Sequence, residues 1–172
     1  MFDNPYEKTG SAETAKAAEQ LTKLPSLEET EARLQSAVEQ LGTYISSLVP
    51  GLTWTWMDER SVQNCSPPYD QTHGQMVNLP NYVASSGIPD DVWPQVAERT
   101  RQLAADLGAT GSESFLDKPG SHAVRFYSKE GTSLQPGTKW IDSQGAAAIG
   151  GNTGCRLPAA RKSASSPTTP HP

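Results

Sequence analysis

The chain has 172 residues, 35% hydrophobic and 19% charged, with 14 glycines, 14 prolines and a formal net charge of −5. That length is the length of one domain, and this composition gives it many loops and a modest core. Without a basic stripe, nucleic acid is excluded as a partner, because phosphate binding needs clustered Lys and Arg; no apolar run reaches the roughly 18 residues of a membrane span.

Residues 1–23 read as an N-terminal tether. Asp3-Asn4-Pro5-Tyr6 is turn-like, and Ser11 to Lys23 is rich in Ala, Lys, Glu and Gln with little apolar surface. The alternative is a short packed helix joined to the core through Leu21 and Leu24. A single domain is expected over residues 24–158. Ser26 is a good N-cap, with Glu29 placed three residues on as in a capping box. Leu34, Ala37, Val38, Leu41, Ile45 and Leu48 then recur at helical spacing, and Pro50-Gly51 stops the helix. Leu52 to Met57 alternates, putting Trp54 and Trp56 on one face of a half-buried strand. Ser66 to Gly74 is a loop, and Gln75 to Pro80 a short second strand.

Asp90 and Asp91 suit the positive end of a second helix, which begins near Asp91 to Trp93 and stops at Gly108. Ser112–Leu116 and Ala123–Tyr127 are strands, Lys129-Glu130-Gly131 is a tight turn, and Thr132 to Leu134 begins the return strand. Gly150 to Gly154 is a turn leading to a last strand over Gly154–Leu157. Residues 159–172, rich in Ser, Thr and Pro toward the end, form a disordered tail with no means of burying a core. Short connections between strands favour antiparallel pairing. The expected fold is α+β, a two-layer sandwich with two main helices packed on one face of an antiparallel sheet.

Cys65 and Cys155 are either two buried thiols or one disulfide. Both sit in polar, Gly/Pro-rich surroundings, which favours the disulfide and an oxidising compartment. Closing the loop from Cys65 to Cys155, of about 90 residues, removes roughly 4–5 kcal/mol of unfolded-state freedom on the chain-entropy view. The absence of a Cys-x-x-Cys spacing speaks against a redox-active pair.

Chemistry is less legible. His73, His122 and His171 are far apart and fall in no metal-binding pattern, so no metal or cofactor is expected. Asp58, Ser61, His73, Asp117, Ser121 and His122 supply the residue types of a hydrolytic triad, without a G-x-S-x-G elbow. Asp58-Glu59 and Asp90-Asp91 are adjacent carboxylate pairs, of a kind that is usually solvated or capping. Trp54 and Trp56 read as core, or else as a lipid- or glycan-facing surface. Trp140, in the polar stretch Gly137 to Asp142, is a candidate partner contact.

Several short motifs in this order carry a resemblance. They are Leu24-Pro25-Ser26-Leu27-Glu28, Val49-Pro50-Gly51-Leu52-Thr53-Trp54, Cys65 with Pro67-Pro68-Tyr69, Val92-Trp93, Leu107-Gly108-Ala109-Thr110, and Thr153-Gly154-Cys155-Arg156-Leu157-Pro158. The chain resembles the LppA-like lipoproteins of mycobacteria, most of all those of the LppV type. The resemblance implies export by a signal peptide that is removed, a lipidated (palmitate-bearing) N-terminal cysteine, and residence on the outer face of the cytoplasmic membrane. Neither the signal peptide nor that cysteine is visible in this sequence, and Asn4-Pro5-Tyr6 looks like the residues that closely follow the cysteine. The resemblance carries no catalytic residues. The expected function is therefore a non-enzymatic envelope lipoprotein that binds an envelope protein or lipid. The alternatives are a cell-wall hydrolase and a surface factor that blocks another envelope component.

Overall fold

Residues 8–141 and 144–164 are described by a computed structural model of the chain. The elements run α1 (Ser11–Thr22), α2 (Leu27–Leu48), β1 (Trp54–Met57), β2 (Ser61–Asn64), β3 (Gln75–Asn78), β4 (Asn81–Ala84), α3 (Trp93–Asp106), β5 (Gly111–Lys118), β6 (Ser121–Tyr127), β7 (Thr132–Ile141), β8 (Gln144–Thr153) and α4 (Ala159–Ala164).

α2 begins where its cap puts it. The Ser26 hydroxyl accepts the Glu29 N–H at 3.1 Å, while the Glu29 carboxylate pairs with Arg33 one turn on. Leu34, Val38, Leu41 and Ile45 have no exposed surface, and each fully buried side chain of this kind contributes about 1.5–3 kcal/mol by leaving water. The stripe packs on β8 and β3, and α3 packs beside it on β6 and β7. All pairings among the eight strands are antiparallel. The sheet order is β1-β4-β8-β7-β6-β5, with β2 attached through β3 to β8. The expected two-layer α+β sandwich is the observed one, and Cys65 and Cys155 are bonded, their Cα atoms 5.5 Å apart.

Four expectations need correcting. The segment read as a tether contains α1, whose Ala17 and Leu21 are buried against Cys65, Tyr69, Cys155 and Leu157 in a second small core. Its apolar face is narrow, but it sits on the disulfide, and the Tyr69 hydroxyl bonds Gln20. Residues 1–7 lie outside the described residues. Gly150 and Gly151 are not in a turn but inside β8, the inner strand of a long hairpin with β7. A Cβ on Gly151 would lie 3.1 Å from the Leu34 side chain, so glycine there lets α2 press onto the sheet. No strand runs over Gly154–Leu157: Gly154 takes φ +68°, which ends β8, and Arg156 makes one isolated bridge to Gln75. The start of the segment read as a disordered tail is the short helix α4, and the Ala159 N–H bonds Glu28; residues 165–172, with His171, lie outside the described residues.

Pro80 interrupts the ladder that β3 and β4 in turn make with β8. Asn78 pairs with Asn152 and Tyr82 with Ile149, so the three residues 79–81 face the two residues 150 and 151. Proline has no N–H for the ladder, and the extra residue bulges outward. β1 passes to β2 beside this bulge through Asp58, Glu59 and Arg60.

Candidate functional site

The bulge and the β1–β2 connection form the floor and one wall of a groove, and the N-terminal half of α2 forms the other wall. Its volume is about 480 Å³. Trp56, Leu79 and Pro80 supply an apolar floor; Glu31, Gln35, Asp58, Glu59 and Arg60 supply the rim. Trp56 is held rigidly. Its ring lies 4.5 Å from Tyr82, which itself stacks on Trp54 at 5.4 Å, and Gly42 of α2 lets this ladder approach the helix, since a Cβ there would lie 2.7 Å from Tyr82. Trp54 donates its indole N–H to Ser46. Trp56, the half-exposed last ring, has no acceptor among the described residues. The alternation expected for β1 therefore holds: Trp54 packs toward the helix, and Trp56 is both core and surface.

The rim is polar in both senses. Arg60 grips Glu31 through Nε and Nη2, at 2.8 and 2.9 Å, which leaves Nη1 without an acceptor among the described residues. Asp58 takes φ +71°, the left-handed region that non-glycine residues seldom occupy. Its carboxylate meets one donor, Asn81, at a long 3.5 Å. Glu59 is exposed, and Gln35 donates to Glu39, its side-chain amide oxygen without a donor among the described residues. Asp58 and Glu59, expected as a solvated pair, thus stand beside an aromatic floor.

The hydrolytic candidates do not assemble. His122 is 7% exposed and stacks on Trp93 at 5.1 Å. Its Nε2 lies 2.7 Å from Asp90 and its Nδ1 3.0 Å from Asp117. Both ring nitrogens face carboxylates, so neither is turned toward a hydroxyl as a general base must be. Ser61 and His73 are exposed, on β2 and in the loop after it. The His122 cluster is a brace. Asp90 also accepts the Gly120 N–H at 2.9 Å, and this joins the β5–β6 turn to the segment that starts α3. Trp140 belongs to the same brace. It is half-buried rather than free, because alternation along β7 turns it to the helix face. Its indole donates to the Ile88 carbonyl at 3.0 Å and lies against Gly87 and Gly145, where a Cβ would meet it at 2.6 and 2.8 Å. A polar stretch gave no sign of this contact, which comes from a loop some fifty residues away.

The Gly120 N–H and then His122 hold the Asp90 carboxyl below the usual carboxylate range. A carboxyl with a lower pKa folded than unfolded adds stability at neutral pH and loses it as acid protonates the folded form. His122→Ala should cost about 1–3 kcal/mol at pH 7, measured by urea unfolding. Asp90→Asn should narrow the difference in melting temperature between pH 7 and pH 3, with the loss falling on the pH 7 side. A His122→Ala chain as stable as the parent would remove the brace.

Other concavities lie on the surface, two of them larger than the groove. One lies on the outer side of α2 near Tyr44 and Arg99, where Gln40 bonds Ser36 and Thr43 bonds Glu39. The other lies over the open sheet face at Gly137, Ala146, Ala148 and Gly150, the face that antiparallel sheets commonly leave to water. Among the described residues, no group of three or more His, Cys, Asp or Glu could hold a metal ion, and no helix is long and apolar enough to cross a membrane.

The sequence matches the LppA family, described as a lipoprotein confined to pathogenic Mycobacterium, over residues 2–159. No curated protein sequence matches it. The fold is similar to the crystal structure of LppA from Mycobacterium tuberculosis, with a TM-score of 0.63 at 16% identity, covering 94% of this chain and 95% of that one. With the family match running from the segment before α1 through the cysteine at the end of the sheet, the chain belongs to the LppA family of lipoproteins.

Proposed function

We propose that this lipoprotein acts by binding rather than by catalysis, held at the outer face of the cytoplasmic membrane by a lipid at its N-terminal side, and that the Trp56 groove receives what it binds. The observation that carries this reading is the contrast between two polar clusters. In the His122 cluster the buried imidazole has both ring nitrogens on carboxylates, and the solvent-exposed Asp90 carboxylate is itself engaged by His122 and the Gly120 N–H. Among the described residues, the groove holds donors without acceptors and carboxylates with few donors around an indole, the usual composition of a binding site: an apolar floor with a few placed polar groups. A glycosidase-like use of its carboxylates is not favoured. Glu31 has both oxygens on Arg60, and Asp58 and Glu59 are exposed, whereas a proton-donating carboxyl needs a desolvated site.

The test is capture of detergent-solubilised envelope components on the immobilised chain. Trp56→Ala should reduce the captured material at least tenfold relative to the parent, and His122→Ala, if folded, should not. Equal capture by parent and Trp56→Ala, or hydrolysis of cell-wall material by the parent that is lost in His122→Ala, would contradict the proposal.

A further inference from the structure

We infer that the Trp56 groove is a saccharide site, taking a neutral sugar ring flat on the indole with its hydroxyls on the rim; the inference rests on the reading of the groove as the binding site. Four observations converge on that ligand chemistry. The floor is one partly exposed indole, fixed by the ladder to Tyr82 and Trp54 and flanked by Leu79 and Pro80. A pyranose ring has an apolar C–H face that such a floor can cover. Among the described residues, the groove offers donors without acceptors, at Arg60 Nη1 and the Trp56 indole N–H, and acceptors with few donors, at Asp58 and Glu59. A hydroxyl both donates and accepts, so a polyol satisfies both kinds at once. An organic cation would find the carboxylates and the indole face, but it would leave the Arg60 and Trp56 donors unmet and would lie beside the Arg60 guanidinium. An acidic glycan would meet two unpaired carboxylates and a chain of net charge −5. The volume, about 480 Å³, lies within the range of small-ligand sites, about 300–1,000 Å³.

Asp58 gives the inference a discriminating handle. A residue held in the left-handed region costs stability that glycine would not. Asp58→Gly should therefore leave the chain at least as stable while removing a carboxylate from the rim, so a loss of binding in it cannot be attributed to unfolding.

The experiment uses the full chain labelled with ¹⁵N and titrated with chitotetraose, maltotetraose and α-1,6-mannobiose, with spermidine as the cationic comparison. At least one saccharide should shift the Trp56 indole signal and the amides of Asp58 to Arg60 saturably, with the Trp54 and Trp140 indole signals still. Trp56→Ala should abolish the effect. Asp58→Gly should weaken binding at least fivefold at unchanged or higher melting temperature. Should Trp56→Ala fail to fold, Asp58→Gly alone decides. The inference is overturned by spermidine shifting these signals while no saccharide does, by equal affinity in Asp58→Gly, or by no saturable shift with any saccharide at millimolar concentration. In the last case, Trp56-dependent capture of envelope material would show that the groove binds another class of ligand; without that capture, the binding reading falls as well.

Discussion

Replacing Cys65 with serine should lower the stability of the domain by roughly 2–5 kcal/mol. The bridge spans 90 residues of sequence, so its removal returns a long loop to the unfolded chain. It is also the floor of the second core. Cys65 and Cys155 are 6% and 1% exposed and lie among Ala17, Leu21, Tyr69 and Leu157. α1 has little else to rest on, so its release should follow. Urea unfolding should show the lowered midpoint, and hydrogen exchange should show Ser11–Thr22 losing protection ahead of α2. Mass measurement before and after reduction gives the chemistry directly: the untreated chain should carry no alkylatable thiol. A Cys65→Ser chain with an unchanged midpoint would contradict this account of the second core.

A comparable loss is expected at Arg156. Its guanidinium is 3% exposed. Nη1 donates to the Cys155 carbonyl at 2.9 Å and Nη2 to the Thr132 hydroxyl at 2.8 Å. The Glu130 carboxylate lies 3.6 Å away. Burial pushes the Arg156 pKa down, and the charges of Glu130 and then Tyr69 push it back up. Thr132 passes the chain on by donating to the Thr153 carbonyl, so one cation fastens the β6–β7 turn to the end of β8. Arg156→Ala removes the donors and leaves Glu130 without its partner; breaking a buried pair in this way costs about 3–5 kcal/mol. Arg156→Met keeps the volume without the charge and should cost less, since Glu130, at 19% side-chain exposure, can recover water. Equal thermal stability of Arg156→Ala and the parent would show that the guanidinium does not hold the turn.

What could be read from the sequence was what local patterning controls. α2 and α3 announce themselves by apolar spacing and by Ser26, Pro50 and Gly108, and β1, β5 and β6 by short apolar or alternating runs. Elements that depend on distant partners did not show. α1 carries little beyond Ala17 and Leu21, and its burial comes from a disulfide and a tyrosine far along the chain. β2 is exposed at all four positions, so it has no alternation to detect. Gly150 and Gly151 read as a turn because the reason for them, close approach of α2, lies in tertiary packing. The same holds for the groove. Trp56 and the Asp58-Glu59 pair were conspicuous in sequence, but their meeting depends on a bulge at Pro80 and on a helix wall more than twenty residues upstream. The family was legible through the order and spacing of many short motifs taken together, and the family match runs over residues 2–159.

Where the binding surface lies can be read by hydrogen exchange with mass spectrometry, comparing the full chain alone and with a solubilised envelope fraction. Binding in the Trp56 groove should add protection at the N-terminal half of α2 near Glu31 and Gln35, at residues 56–60 and at residues 79–81, with the open sheet face unchanged. Protection centred instead on residues 133–137 and 146–150, or around Gly87 and Trp140, or no added protection anywhere, would contradict a binding site at Trp56.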